Sequence, residues 1–418
     1  MMDRSNDCAP VAAGGKTLTK DEAVAFLTAR VSPIDGTETL ALDAALGRVL
    51  AEPVMSPIDV PGWDNSAMDG YAIRHADLAA HEGRLPVAQR IPAGAVGEPL
   101  APGTAARIFT GAPVPEGADT VVVQEVCEAS DGQVRIPLDV KAGANVRRAG
   151  EDIRTGAEVI AAGTRLLPAH LGLAASVGVA RLVVRRRLRV AMLSSGDELV
   201  LPGEPLGPGQ IYNSNRSMLM GLLQSWGCEV VELGIVADDL ESTVAAMARG
   251  AREADLIIAS GGVSVGEEDH IKPAVERLGR LELHQVKIRP GKPLAFGEVQ
   301  GTPLLGCPGN PVSLFVTAVL FARPLIRRMQ GIAGELDVRP LRIRAGFDWP
   351  RPDKRLEFQR ARLERGADGE LEVAVYPSRS SAVLSSVAWA DGLVQLQPGR
   401  VVERGDPVEF LPFGELLH

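Results

Sequence analysis

Aromatic residues are scarce in this 418-residue chain, with Phe, Trp and Tyr together at 4%. Single-stranded nucleic acid is gripped by stacking its bases on such rings, so the scarcity argues against that partner. Positive charge is in deficit as well. Lys and Arg total 44 against 53 Asp and Glu, a formal net charge of −9. That sign disfavours nucleic acid or an anionic membrane surface as the main partner. The 4 cysteines, Cys8, Cys127, Cys228 and Cys307, form no CxxC pair, and the 6 histidines are scattered. Zinc-ligand spacing is therefore missing, and reduced cytosolic thiols are expected in place of disulfides. No apolar run reaches the ~18 residues of a membrane span, and MMDRSNDCAPVAAGGK has no apolar core of a leader peptide. A cytoplasmic protein is expected, with residues 1–17 as a flexible N-terminus.

Hydrophobic residues make up 45% and charged ones 23%, the balance of a folded chain. Its length predicts about two to four domains. Thr19 followed by Glu22 has capping-box spacing ahead of AVAFLTARV. Residues 18–51, with LPAHLGLAASVGV and RLVVRRR at 164–186, are expected to form a discontinuous helical linking domain. Between them, residues 52–163 scatter glycine and proline among short β-rich pieces such as ARIFT, TVVVQEV and QVRIPL. This predicts an irregular β-rich domain with functional loops.

Residues 187–331 alternate strand-like runs (LRVAMLS, CEVVELGIV, DLIIAS, LELHQVKI, PLAFGEV, TPLLGC) with amphipathic ones such as SNRSMLMGLLQSWG and PVSLFVTAVLFARPLIRRM. The alternation predicts an α/β domain, a mostly parallel sheet with helices on both faces, whose ligands sit at the carboxyl ends of the strands. Residues 334–418 return to short strands, read as an antiparallel β-barrel.

Polar, glycine-bearing loops follow three of the α/β strands directly. The first is SSGDEL, with Ser195, Gly196, Asp197 and Glu198; the second, SGGVSVGEEDH, holds Gly261, Gly262, Ser264 and Asp269; the third, CPGNPVS, holds Pro308, Gly309, Asn310, Pro311 and Ser313. Glycines let backbone N–H groups approach phosphate oxygens, and a helix N-terminus adds partial positive charge. One such loop reads as a tight turn. Three on one sheet point to a shared site for a phosphorylated ligand. Carboxylates beside a phosphate make sense if Mg²⁺ bridges them, so Glu198 and Asp269 are the expected metal ligands. Lys287 and Arg289, two apart on a strand, and Lys292 after a Pro-Gly turn are the expected cations. Three polar loops of the β-rich domain, with Asp64, Asn65, Ser66 and Asp69, with Thr110, and with Arg147, Arg148, Glu151 and Asp152, are read as a second half-site.

In this order DNSAMDGYA, FTGAPVP, RRAGEDI, SSGDEL, SGGVSVGEED, PGKP and PGNPVS resemble the molybdopterin molybdenumtransferase family, which includes the catalytic domain of gephyrin-type proteins. The resemblance runs from about Leu18 to Phe413. SGGVSVG by itself is shared with molybdopterin adenylyltransferases, which lack the DNSAMDGYA domain. The resemblance implies Mg²⁺-dependent insertion of molybdate into adenylylated molybdopterin, with release of AMP. It also implies a homodimer, in which the α/β domain of one subunit faces the β-rich domain of the other, and transient contact with the adenylyltransferase. Carried over by residue, it makes Asp69, Thr110, Arg147, Asp152, Asp238 and Asp269 catalytic. Pro308 and Pro311 are carried over as well, and Ser381 is retained; with the loop and strand residues read above, Ser195, Gly196, Asp197, Gly261, Gly262, Ser264, Lys287, Arg289, Lys292, Gly309, Asn310 and Ser313, they make up the expected substrate-binding set. Glu198 and Asp269 match its metal ligands. Read from the residues alone, Asp238 in GIVADDL is a helix cap. The chain departs from the family at Ser195, Gln285 and Arg289, and at Ala382, where a histidine is frequent. The rival readings are an adenylyltransferase and a non-catalytic dimeric scaffold or cofactor carrier.

Overall fold

Uninterrupted apolar runs set the centre of the architecture. In the computed structural model, which describes residues 17–261, 270–291 and 293–417, the runs at Arg189–Ser195, Leu256–Ser260 and Thr302–Cys307 are strands buried on both faces. They belong to a 7-stranded sheet ordered Thr17–Leu18, Gly279–Val286, Pro293–Val299, Thr302–Cys307, Leu256–Ser260, Arg189–Ser195, Glu229–Val236. The last four run parallel, and Pro293–Val299 is antiparallel to both of its neighbours. Register pairs Ser195 with Val236, and Ser260 with both Ser194 and Cys307. The carboxyl ends of four strands therefore lie in one row.

Side-chain alternation assigns each face its helices. Val190, Met192, Leu256 and Ile258 pack with Leu219, Leu223, Phe315 and Leu325. Ala191, Leu193, Ile257 and Ala259 pack with Met247, Ala274 and Val275 on the other face. Burying each Leu or Ile this way contributes about 1.5–3 kcal/mol. The long apolar helix expected after Pro311 is interrupted: Pro311–Thr317 and Arg323–Met329 are α-helical, while Ala318–Ala322 is a π turn. Pro324 has no N–H for a carbonyl four residues back, and its ring would clash there, so the helix widens just before it.

The capping box forms as expected. Glu22 N–H donates to Thr19 Oγ1 at 3.2 Å, and Thr19 N–H to Glu22 Oε2 at 2.9 Å. Directly before it, Thr17–Leu18 pairs with Gln285 and Val286 at the sheet edge. LELHQVKI is not one strand, however. The central sheet keeps it only to Val286, and Ile288–Arg289 pairs instead with Leu356–Arg365 of the C-terminal barrel. Five strands close that barrel: Leu341–Ala345, Leu356–Arg365, Leu371–Val375, Gly392–Leu396 and Pro407–Pro412. The pairing is antiparallel throughout except between Leu341–Ala345 and Leu371–Val375, which run parallel.

The chain divides into two compact units. All elements above belong to one, formed by residues up to Glu38, Gly47–Val49 and Arg185 onward; the other comprises Thr39–Leu46 and Leu50–Val184. The second unit holds a 6-stranded mixed sheet centred on Gly70–Ile73, Ala105–Ile108 and Arg84–Ile91. Tyr71 and Ile73 face one small core there, and Ala72 and Ile108 another. Gly70 is obligatory, since a Cβ would stand 1.9 Å from the Val122 carbonyl oxygen. A third core gathers Leu50, Val54, Ile160, Leu166 and Ala174 around the helix Pro168–Ser176. Among the described residues no helix is long and apolar enough to cross a membrane, and no disulfide forms.

Candidate functional site

Where the four parallel strands end, the chain turns sharply and leaves a cleft of about 850 Å³. Gly196 has φ 149° and Gly261 φ 88°, backbone states that L side chains rarely adopt. A Cβ on Gly196 would come within 2.5 Å of the Glu198 carboxylate. Ser195, Gly196 and Glu198 line the cleft on one side; Gly261 and the Pro308–Pro311 turn with Ser313 line another. The first three polar loops of the sequence reading thus converge as far as they are described. Gly262, Ser264, Asp269 and Lys292 lie outside the described residues.

Two loops are clasped together by carboxylates. Ser195 Oγ donates to Asp238 Oδ1 at 2.6 Å, and Asp197 N–H donates to Asp238 Oδ2 at 3.2 Å. Asp238 N–H returns a bond to Asp197 Oδ1 at 3.1 Å. Asp238 is therefore not the helix cap that the residues alone suggested. Asp239 caps Leu240–Glu253, accepting from Ser242 N–H at 2.8 Å. Bonds from Ser242 hold the Asp239 carboxyl below its ordinary value. The Glu198 carboxylate has no hydrogen-bond or ion-pair partner among the described residues, and none of those lining the cleft is basic.

Sequence reasoning missed the segment Tyr212–Asn215, which forms a further wall. Asn213 is the N-cap of the helix Ser214–Ser225, its Oδ1 accepting from Arg216 N–H at 3.0 Å. Asn215 Nδ2 donates to the Gly309 carbonyl at 2.6 Å, which joins this helix start to the Pro308–Pro311 turn. Asn213 Nδ2 and Asn215 Oδ1 are buried without a partner. An asparagine directly before an amphipathic run was the available signal.

Two of the three expected cations are placed elsewhere. Lys287 is exposed, and Arg289 reaches Asp353 at 3.0 Å and Glu357 at 3.7 Å. Hydrogen bonds from Arg355, then Arg289, hold the Asp353 carboxyl well below the usual carboxylate range. Neither basic residue lines the cleft. Ser381 approaches it through its backbone, its carbonyl accepting from Val312 N–H at 3.0 Å, while Ala382 forms part of the wall.

In the other unit the strand Asn65–Ser66 pairs with Val146–Arg147 and bridges to Pro113, so three polar loops meet there too. Asp69 Oδ1 accepts from Thr110 N–H at 2.8 Å and from Thr110 Oγ1 at 2.7 Å. Asp64 accepts from Ala149 N–H at 2.9 Å and pairs with Arg148 at 2.5 Å. Arg147 and Asp152 are exposed, and their side chains make no hydrogen bond or ion pair among the described residues. No cluster of three or more His, Cys, Asp or Glu suited to a metal occurs among the described residues of either unit.

Three matches to known families tile the chain. Residues 18–178 match the MoeA N-terminal region (domain I and II), residues 191–328 the probable molybdopterin binding domain, and residues 342–413 the MoeA C-terminal region (domain IV). The molybdopterin molybdenumtransferase of Haemophilus influenzae is 38% identical over 403 residues, 96% of this chain and 100% of that one. Its namesake from Synechococcus elongatus is 39% identical over 407 residues, 94% and 98% of the two chains. Among solved structures, a molybdopterin biosynthesis MoeA protein from Pyrococcus horikosii superposes with a TM-score of 0.77 at 32% identity, covering 95% of this chain and 99% of that one.

Proposed function

The chain belongs to the molybdopterin molybdenumtransferase family, and from that premise we propose that it inserts molybdate into adenylylated molybdopterin and releases AMP, assisted by Mg²⁺. It is a transferase of molybdenum cofactor biosynthesis. The observation that carries the finer reading is the cleft itself: glycine turns, two helix starts and an unpartnered carboxylate, with no basic side chain among its described lining.

A site of that kind holds a polyanion only if a cation comes with it. The donors present are oxygens: the carboxylates of Glu198 and Asp238 and the unpartnered Oδ1 of Asn215. Hard oxygen donors suit Mg²⁺, so Glu198 and Asp238 would hold it, with Asp269 entering as the metal-ligand position that the family supplies. Bound there, Mg²⁺ would supply charge neutralisation for the diphosphate. The protein's own groups orient the substrate. Asp238 fixes the Ser195–Glu198 turn, and Asn215 Nδ2 joins the start of the helix Ser214–Ser225 to the Pro308–Pro311 turn. Asp69, Thr110, Arg147 and Asp152 enter the proposal as family positions of the second unit. A homodimer, transient contact with the adenylyltransferase and a cytoplasmic location complete it.

The test mixes the purified chain with adenylylated molybdopterin, Mg²⁺ and molybdate and follows AMP. Release that depends on molybdate and Mg²⁺ is expected. Consumption of ATP with free molybdopterin would turn the reading toward an adenylyltransferase. Substrate bound without turnover would turn it toward a carrier.

A further inference from the structure

The start of the helix Ser214–Ser225 is built like a ligand site and lies outside every motif that the resemblance supplied. The helix is 12 residues long and begins at the cleft wall, where Asn213, Ser214 and Asn215 all line the cavity. A helix start leaves up to four backbone N–H groups without an intrahelical partner and carries about half a positive charge. The Asn213 side chain satisfies only one of them, that of Arg216.

Independent of the helix, Asn213 is 1% exposed and its Nδ2 has no partner. A buried donor left unmade costs about 1–3 kcal/mol, so its persistence beside a cavity points to an acceptor that arrives with a ligand. The orientation of the amide is fixed, because its oxygen is engaged by Arg216 N–H. Asn213 N–H donates to the Val200 carbonyl at 2.9 Å, and Ile211 N–H to that of Glu198 at 2.8 Å. These bonds hold the donor on a segment tied to the Glu198 loop.

We propose that the start of the Ser214–Ser225 helix, together with Asn213 Nδ2, is a phosphate subsite of the cleft that receives one phosphoryl group of the substrate. It rests on the proposed function, and it assigns this phosphoryl group to a helix end that no motif had marked. The phosphate has two possible sources, the nucleotide half or the pterin half of the diphosphate.

Calorimetric titration of the full chain in Mg²⁺ buffer, with AMP and separately with molybdopterin, distinguishes them. Asn213→Asp and Asn213→Ser both keep a helix-capping oxygen, so their melting temperatures should match the wild type. The Asp variant replaces the donor by a negative charge and should bind one of the two ligands about 30-fold more weakly; the Ser variant, about tenfold. Weaker AMP binding assigns the nucleotide phosphate, and weaker molybdopterin binding assigns the pterin phosphate. If the Asp variant is unstable, the Ser variant decides by the same comparison. Unchanged affinity for both ligands overturns the subsite. A wild-type chain that binds neither ligand overturns the functional reading, and the subsite with it.

Discussion

Two clusters of acidic loops look alike in the sequence and differ in what their carboxylates do. In the unit that includes Leu50–Val184, three half-buried aspartates are each tied to a backbone amide: Asp59 to Thr155 at 2.7 Å, Asp64 to Ala149 at 2.9 Å, Asp69 to Thr110 at 2.8 Å. Those loops hold their shape through their own charges. In the α/β cleft, the Glu198 carboxylate has no partner among the described residues, and two buried amide atoms, Asn213 Nδ2 and Asn215 Oδ1, go unmatched. Native proteins leave few buried polar groups unsatisfied, and each one beside a cavity calls for a ligand or ordered water to complete it. Polar loop composition therefore marks where chemistry is possible, and hydrogen bonding distinguishes the braced aspartates from the unpartnered Glu198 carboxylate.

The contrast is broken most directly at Glu198. Glu198→Gln should lower the rate of Mg²⁺-dependent AMP release by about 10²–10³-fold, the scale seen when one charge-stabilising group is removed. The melting temperature should not change, because that carboxylate bonds to nothing described in the folded chain. A variant that loses stability and keeps its rate would make Glu198 a brace like the aspartates of the other unit.

A smaller effect sharpens the opposite arm. Thr110 N–H, then its hydroxyl, holds the Asp69 carboxyl below its ordinary value; Ala149 N–H does the same for Asp64, and Thr155 N–H for Asp59. A carboxyl whose folded pKa is depressed adds stability above its unfolded pKa, about 3.9. That stability is lost as pH falls through the folded value. Below about pH 4 the wild type should therefore lose melting temperature more steeply than Asp69→Asn, which has no carboxyl at that position to protonate. Parallel curves for the two proteins in that range would show that the Asp69 brace contributes no stability.

Much of this arrangement was legible in the chain because it is locally encoded. The runs at Arg189–Ser195, Leu256–Ser260 and Thr302–Cys307 lack polar alternation, so they read as buried strands, and glycines mark the turns behind them. Thr19 and Glu22 interact across three residues, which a sequence displays. Long-range partners are not displayed. Nothing between Val286 and Ile288 announces that the chain leaves one sheet for another, and Arg289 meets Asp353 from 64 residues away. A basic pair on one expected strand end was thus divided by tertiary structure. Asn213 was overlooked for a related reason. Its capping role is local and readable, whereas the unmatched nitrogen exists only because Val200, Glu198 and Gly309 close around the segment.

The smallest expected effect concerns Cys307, which ends the Thr302–Cys307 strand directly before Pro308 of the cleft. Position alone suggests a nucleophile. Burial suggests otherwise: the side chain is fully covered, and desolvation pushes the thiol up to about 12. At pH 8 roughly one molecule in ten thousand would carry the reactive thiolate. Iodoacetamide at that pH should leave the label off Cys307, read by mass spectrometry, and AMP release within about twofold of the untreated rate. Cys127 in the other unit, half-buried and raised to about 11, should react nearly as poorly. Labelling of Cys307 with loss of turnover would mean that the cleft floor opens at the strand end. The division drawn between a rigid scaffold and an unsatisfied lining would then have to move down into the sheet itself.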